Sequence, residues 1–535
     1  MAATRVFALI CVTILVHTAP AARAQTATAP ALPQQANREV QIDGQIDVLI
    51  EDHPGRSVAR HFITSNGSRR EVRFTGEGRP FTSGDRVRVR GVVQPDGALQ
   101  LNSDGSSVQS LAAAPRSTTG AQSIVVLLVN FQNDQRQPYT AADAESVMTQ
   151  VGTHYWLGSY EQVTITSQIV GWLTVAHDPT VCDPSTIARL ADEAATNAGV
   201  NVAAYGRRIY AFPELAACSW WGLGSVGGSP SQAWINGTFA KKVVGHELGH
   251  NFGLYHANAH DCGAAPIGPT CSDLEYGNTI DIMGNPSSGN FNLLAKEQLG
   301  WVNAGVSPPL TVVTESAAYA IPPYEALDAR SKGLRILRSI DAAGVPSYYY
   351  VEFRQPVGND AFLLNNANVT SGVVISLGSG ADHNWLLDMT PETASWSDPA
   401  LAVGRRFVDP DTGLRIETLA ADSSGATVMV TMAAAIAPTA TVVLNTTSPR
   451  TGDTLVARAS AFDANGDAVT LTYVWTVNGV TKRVTATTNL SDTFNLGVIG
   501  QGDPGDVIVV GVTPFDGSLT GKTVSASAIV QRKRR

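Results

Sequence analysis

The chain has 535 residues, 44% of them hydrophobic and 16% charged, and a formal net charge of −9. That length exceeds what one hydrophobic core serves, so three or four domains are expected. The acidic balance argues against nucleic acid as a partner, and no apolar run approaches the roughly twenty residues that span a bilayer.

Residues 1–24 read as a secretory signal, with Arg5 at its positive start, an apolar run from Val6 to Val16 and a small-x-small cleavage site at Ala22-Arg23-Ala24. The expected location is therefore extracellular. Cys11 falls in the signal, which leaves Cys182, Cys218, Cys262 and Cys271. An even count in an exported chain points to two disulfides. Of the three possible pairings, Cys182–Cys218 with Cys262–Cys271 is favoured, because the second would close a short Gly/Pro-rich loop; thiolate metal ligands are the rival reading.

Residues 25–119 read as a propeptide, an expectation that rests on order alone. After an Ala/Pro/Gln-rich stretch to residue 37, strands alternate around Val40–Ile50, Glu71–Phe74 and Arg86–Val93, separated by turn signals such as Asn66-Gly67 and Asp96-Gly97. This predicts a small antiparallel β domain, a barrel of the OB type. Its Arg86, Arg88 and Arg90 share one face, which could hold single-stranded nucleic acid; a solvated strand face is the expected reading, since aromatics are sparse. Residues 102–122 read as a linker, where processing would fall.

From residue 120 a catalytic domain is expected to run to 305. An apolar run at Ser123–Phe131 predicts a buried strand, followed by a helix at Ala141–Trp156, strands within Tyr160–Val175, a helix at Ser185–Ala198 and a strand at Arg208–Phe212. A further helix, from about Thr238, carries His246-Glu247-Leu248-Gly249-His250-Asn251-Phe252-Gly253-Leu254-Tyr255-His256. On a helix, His246 and His250 project from one face, one turn apart, and can share one metal ion. Gly253 can leave the helix with positive φ and swing His256 back as a third ligand. Three protein ligands leave tetrahedral Zn2+ one open position for water, the mark of a catalytic site. Glu247 points away from the ligand face and is the expected general base.

These residues resemble the metzincin zinc endopeptidases, whose extended motif ends in a methionine turn. With EYGNTIDIMG and FNLLAKEQLGW, the wording is most similar to the gametolysin family of secreted metallopeptidases. The resemblance implies that Met283 forms a hydrophobic floor beneath the histidines, and that an edge strand within Cys218–Asn236 holds substrate by strand addition, with a possible substrate role for Trp220, Trp221 and Trp234. His260 and Asp261 could touch a bound peptide, though capping the turn is the plainer reading. Some metzincins carry a tyrosine two positions after the methionine as an extra ligand; here that residue is Asn285, so a tyrosine switch is not expected. No cysteine lies in residues 25–119, so inhibition by that segment would have to be steric or through another ligand such as Asp or His.

Leu293–Trp301 predicts a closing helix. Residues 306–435 read as an accessory β-rich domain, and 436–535 as an immunoglobulin/PKD-like sandwich with Trp475 as its core tryptophan. Asp463, Asn465 and Asp467 offer oxygens for Ca2+ without a full ligand set, so a plain turn is expected. The fold class is thus an α+β metzincin-like zinc protease domain flanked by an N-terminal OB-like β domain and C-terminal β domains. The expected activity is zinc-dependent hydrolysis of extracellular proteins; by the resemblance, matrix or cell-wall glycoproteins are the substrate class. The alternative is a non-catalytic wall- or matrix-binding protein with a vestigial zinc site, against which an intact Glu247 argues.

Overall fold

The computed structural model describes residues 38–535 except 77–79, 103–106, 342–343, 381–382, 433–436, 464–466, 518 and 533–535. The signal, residues 25–37, Asn465 of the calcium candidate and the last residues of the tail lie outside the described residues.

Alternating Val and Ile build the first core. Strands β1 (Glu39–His53), β2 (Arg56–Ser65), β3 (Ser68–Phe74), β4 (Arg86–Val93) and β5 (Leu99–Leu101) pair in the order β1-β2-β3-β5-β4, and β4 returns to β1. This closes a five-stranded barrel around Ile46, Val48, Ile50, Val72, Val89 and Leu99. A sixth strand, β6 (Val108–Ala112), joins β4 from within the segment expected as a linker. Of the arginines on β4, Arg88 forms a two-point ion pair with Asp43 and Arg90 bonds Gln41.

His61 is buried in this barrel against Phe74, at 5.2 Å between ring centroids. Burial pushes its pKa down from 6.5 to about 4. The unfolded chain therefore takes up a proton below pH 6.5 that the fold refuses, and stability falls as pH drops from there toward 4. A loss of up to about 3 kcal/mol is expected. A falling melting temperature of the barrel across that window checks this, and His61→Leu should flatten it.

The second core forms around β7 (Gly120–Phe131), α1 (Ala141–Gly158), β8 (Val163–Val175), α2 (Pro184–Asn197), β9 (Arg207–Phe212), β10 (Gly222–Ser225), β11 (Ser231–Asn236) and α3 (Lys241–Phe252). Strand order is β10-β11-β9-β7-β8. The strand β7 is apolar on both faces because α1 and α3 cover one and α2 the other. Thr140 and Asp143 form a reciprocal capping box at the start of α1. The helix α3 starts at Lys241, three residues later than expected, behind Ala240, which gives no side-chain cap.

After α3 come β12 (Asn258–Asp261), β13 (Ser272–Leu274) and α4 (Leu293–Gln298). The strand β12 pairs in parallel with His383–Leu387, so the chain beyond the histidines is built into the sheet of the following β-rich region. That sheet packs on a second, four-stranded one around Ile336, Val351, Ile375 and Val428. Residues 439–529 form sheets of three and four strands, with Trp475 fully buried between them and stacked on Phe494. The molecule is thus rich in β-sheet with few helices, and both disulfides, Cys182–Cys218 and Cys262–Cys271, are formed.

Candidate metal centre

On α3, His246 and His250 lie on the inward face. Gly253 closes the helix with φ of 105°, where its amide bonds the carbonyl of His250. The chain reverses there and brings His256 back. The three imidazole centroids form a near-equilateral triangle, 5.0 Å from His246 to His250, 5.1 Å from His246 to His256 and 4.8 Å from His250 to His256.

Each ring is fixed from behind. His246 Nδ1 meets the carbonyl of Ile282 at 2.8 Å, His250 Nδ1 that of Leu254 at 2.8 Å, and His256 Nδ1 the carboxylate of Glu275 at 2.5 Å. With Nδ1 donating, every Nε2 presents a lone pair to the common centre, the arrangement that outer-shell partners impose on metal-binding histidines.

Between the rings stands the carboxylate of Asp52, at the end of β1 and fully buried. Oδ1 lies 2.9 Å from His256 Nε2, and Oδ2 lies 3.3 and 3.4 Å from the Nε2 atoms of His246 and His250. Among the described residues, neither Oδ2 nor His246 Nε2 has a hydrogen-bond partner. Lone pairs facing an anionic oxygen at that distance repel one another unless a cation or a proton lies between them, and these four side chains together could hold one metal ion.

Glu247 is fully buried on the strand side of the centre, with no hydrogen-bond partner for either oxygen among the described residues. It fits because β10 carries Gly222 there: a Cβ at that position would come within 1.8 Å of Glu247 Oε1. Burial, then the charge of Asp52, holds its carboxyl well above the usual range. Burial presses the other way on His246, to about 3, against the pull of Asp52. Burial presses on His256 too, but Asp52 and Glu275 outweigh it and hold it up at about 9, a proton that a bound metal ion would displace.

Met283 packs under α3, where a Cβ on Gly249 would come 2.2 Å from its sulfur. Asp281 accepts from the amides of Met283 and Asn292, and Lys242 donates to the carbonyls of Ile282 and Gly284. The buried Arg354 bonds the carbonyl of Ile280, tying this turn to the β-rich region.

The family model of gametolysin peptidase M11 matches residues 133–368. The chain carries a gametolysin peptidase domain. The family is one of metallopeptidases, which act on proteins or peptides. The chain is also similar to the protein named Autolysin from Chlamydomonas reinhardtii, 31% identical over 116 residues, which cover 19% of this chain and 16% of that protein. Asp52 lies outside the residues that the family model matches.

The gametolysin domain thus brings His246, His250, His256, Glu247 and Met283 to one centre. Of the three tryptophans, Trp220 and Trp234 belong to the core on the α2 face, whereas Trp221 stands 5.1 Å from His246, ring to ring. His260 pairs with Asp273, and Asp261 caps the amide of Gly263. Asp52, Glu275 and Tyr276 join the centre without any motif that marks them in the sequence. The hydroxyl of Tyr276 donates to Asp52 Oδ1 at 2.7 Å, and its ring lies 4.2 Å from that of His256.

The end of β1 occupies the edge of the gametolysin domain's sheet. Leu49, Ile50, Glu51 and Asp52 pair antiparallel with Ser225, Gly224, Leu223 and Gly222 of β10, and the amides of Trp221 and Val226 bond the carbonyls of Asp52 and Val48. A substrate strand adding to β10 would need these same backbone groups.

Proposed function

We propose that the protein is a secreted zinc endopeptidase in its latent form, with residues 25–119 as the propeptide that closes the active site. The observation that carries this reading is the convergence of three Nε2 lone pairs, with Glu247 beside them and the carboxylate of Asp52 in the gap. Three neutral imidazoles and one carboxylate suit zinc, and the back-bonded Nδ1 atoms fit that use.

His246, His250 and His256 would hold the ion permanently, and Asp52 would fill its fourth position until the propeptide leaves. Zinc bound there supplies Lewis acidity, which lowers the pKa of a water and polarises a peptide carbonyl. Glu247 takes the proton of the attacking water as its oxygen bonds to the carbonyl carbon, then returns it to the amide nitrogen as the C–N bond breaks, leaving a carboxylate and an amine. The edge β10 holds the substrate backbone once β1 is gone.

Secretion is supported by the signal at 1–24 and by the two disulfides. The strand order of the N-terminal barrel supports an OB type, and the buried Trp475 an immunoglobulin/PKD-like type for 436–535. The remaining units are the catalytic domain at 120–305 and the β-rich domain at 306–435. Extracellular matrix or wall glycoproteins are the substrate class by family resemblance.

The test is metal analysis with casein cleavage, before and after proteolysis within the exposed stretch 109–113 and separation of the fragments. One zinc per chain is expected, with cleavage appearing after separation, lost on chelation and restored by zinc. Stoichiometric zinc without cleavage in the separated enzyme would overturn the reading.

A further inference from the structure

Peptide hydrolysis passes through a carbon bearing two oxygens, one from the carbonyl and one from the attacking water, and negative charge grows on the first. The carboxylate of Asp52 has the same feature, two oxygens on one carbon. It sits at the end of a strand added to β10, as a substrate strand would add. Its two oxygens are therefore stand-ins for those of the reacting carbon, and their neighbours show which side chains await them.

Oδ2 lies against the Nε2 atoms of His246 and His250 and takes no hydrogen bond from the described residues. Oδ1 lies 2.9 Å from His256 Nε2 and accepts a hydrogen bond from the Tyr276 hydroxyl at 2.7 Å. The other group within reach of that hydroxyl is the carbonyl of Arg56, at 3.3 Å. Among the described residues, both partners of the hydroxyl belong to the N-terminal segment, so its departure frees the donor and leaves it facing the centre.

Tyr276 is placed there by the backbone. It holds a left-handed φ of 58°, which a bulky residue adopts only under constraint. Its amide donates to the side chain of Asn258 and its carbonyl accepts from the amide of Asn285, so both flanks of the turn pin it. Glu275, the preceding residue, orients His256. One short turn thus fixes a ligand ring and aims a hydroxyl at the atom beside it.

We infer that Tyr276 is a catalytic residue of the gametolysin domain, whose hydroxyl donates a hydrogen bond to the carbonyl oxygen of the scissile peptide as that oxygen becomes an oxyanion. The proton stays on Tyr276 throughout; Glu247 alone carries the proton from water to the leaving amine. This rests on the zinc endopeptidase reading.

The test is Tyr276→Phe, which keeps the ring against His256. In the processed enzyme, kcat on a peptide substrate should fall about 100-fold, the cost of one oxyanion donor, with KM within about twofold and zinc content unchanged. Equilibrium binding gives the second readout. A phosphinic peptide, which carries two oxygens on a tetrahedral phosphorus, should lose affinity by a factor similar to that in kcat, whereas the product peptide should bind as before. Unchanged kcat and unchanged phosphinic affinity would overturn the inference, and would reduce Tyr276 to an anchor for Asp52. Equal losses for phosphinic and product peptides, or loss of zinc, would also overturn it, by assigning the tyrosine to structure. If processed wild-type enzyme neither holds zinc nor cleaves peptide, the endopeptidase reading itself has failed; if it does both and Tyr276→Phe matches it, this inference alone has failed.

Discussion

Replacing Glu247 with Gln should leave one zinc per chain in place while cutting cleavage by the processed enzyme about 10³- to 10⁴-fold. Glu247 touches none of the atoms that orient the histidines: the Nδ1 partners are Ile282, Leu254 and Glu275. Its carboxyl instead lies against Gly222 in a pocket with room for a side chain of the same shape, so the amide should pack as the acid does. What the substitution removes is the proton acceptor. Zinc analysis and single-turnover cleavage on the same preparation separate the two roles. A Gln variant that cleaves like wild type would end the general-base assignment, and one that loses zinc would show that Glu247 helps build the centre.

The parts of this centre that were legible in the sequence are those whose geometry is local. A four-residue helical spacing fixes His246 and His250, and one glycine with φ of 105° fixes the return of His256, so a short stretch of chain determines the triangle. Met283 came only through the resemblance, because nothing near it in sequence says that it packs on Gly249. Glu275 and Tyr276 stand in the same quoted stretch, EYGNTIDIMG, yet their roles depend on where a turn folds back across the histidines. Asp52 gave no local signal at all. An acid before His53-Pro54-Gly55 reads as a turn residue, and its place at the centre follows from the pairing of β1 with β10, which no periodicity encodes. The possibility of an Asp or His ligand from the N-terminal segment was legible; its position was not.

The same distinction holds for the fold. Strong helical spacing located α1 and α2 within two residues, and alternation located β1, β3 and β4 of the barrel, whereas β2 and β5 were not singled out. Strand β6 was missed because Val108-Gln-Ser-Leu-Ala112 is short and rich in small polar residues, and its pairing with β4 overrides that composition. Trp220 and Trp234 drew attention as substrate contacts by their place in a Gly/Ser-rich stretch, yet they fill the core on the α2 face. An aromatic residue among glycines can be loop or core, and only the packing decides.

The unprocessed chain should become a working peptidase on Asp52→Ala, with cleavage of a short fluorogenic peptide rising roughly 100-fold over unprocessed wild type. Two sets of contacts hold β1 in the cleft. One is the backbone ladder from Leu49 to Asp52, which the substitution leaves intact. The other is the buried carboxylate, placed among three imidazoles and bonded to Tyr276. Truncating one member of a buried charged cluster costs about 2–5 kcal/mol, enough to shift the strand between bound and released states by about 30-fold to several thousand-fold. It also restores three protein ligands and one open position, the arrangement of a working zinc enzyme. Neighbouring ties, such as Ser57 to Glu275 and Tyr255 to the carbonyl of Phe81, still tether the barrel, so removing residues 25–119 should raise activity further. The ordering of wild type, Asp52→Ala and processed enzyme therefore separates the carboxylate from the strand. If Asp52→Ala is as silent as wild type while processing activates both, the ladder alone enforces latency and the carboxylate is incidental. If it equals the processed enzyme, the carboxylate is the whole lock, and the strand only carries it to the metal.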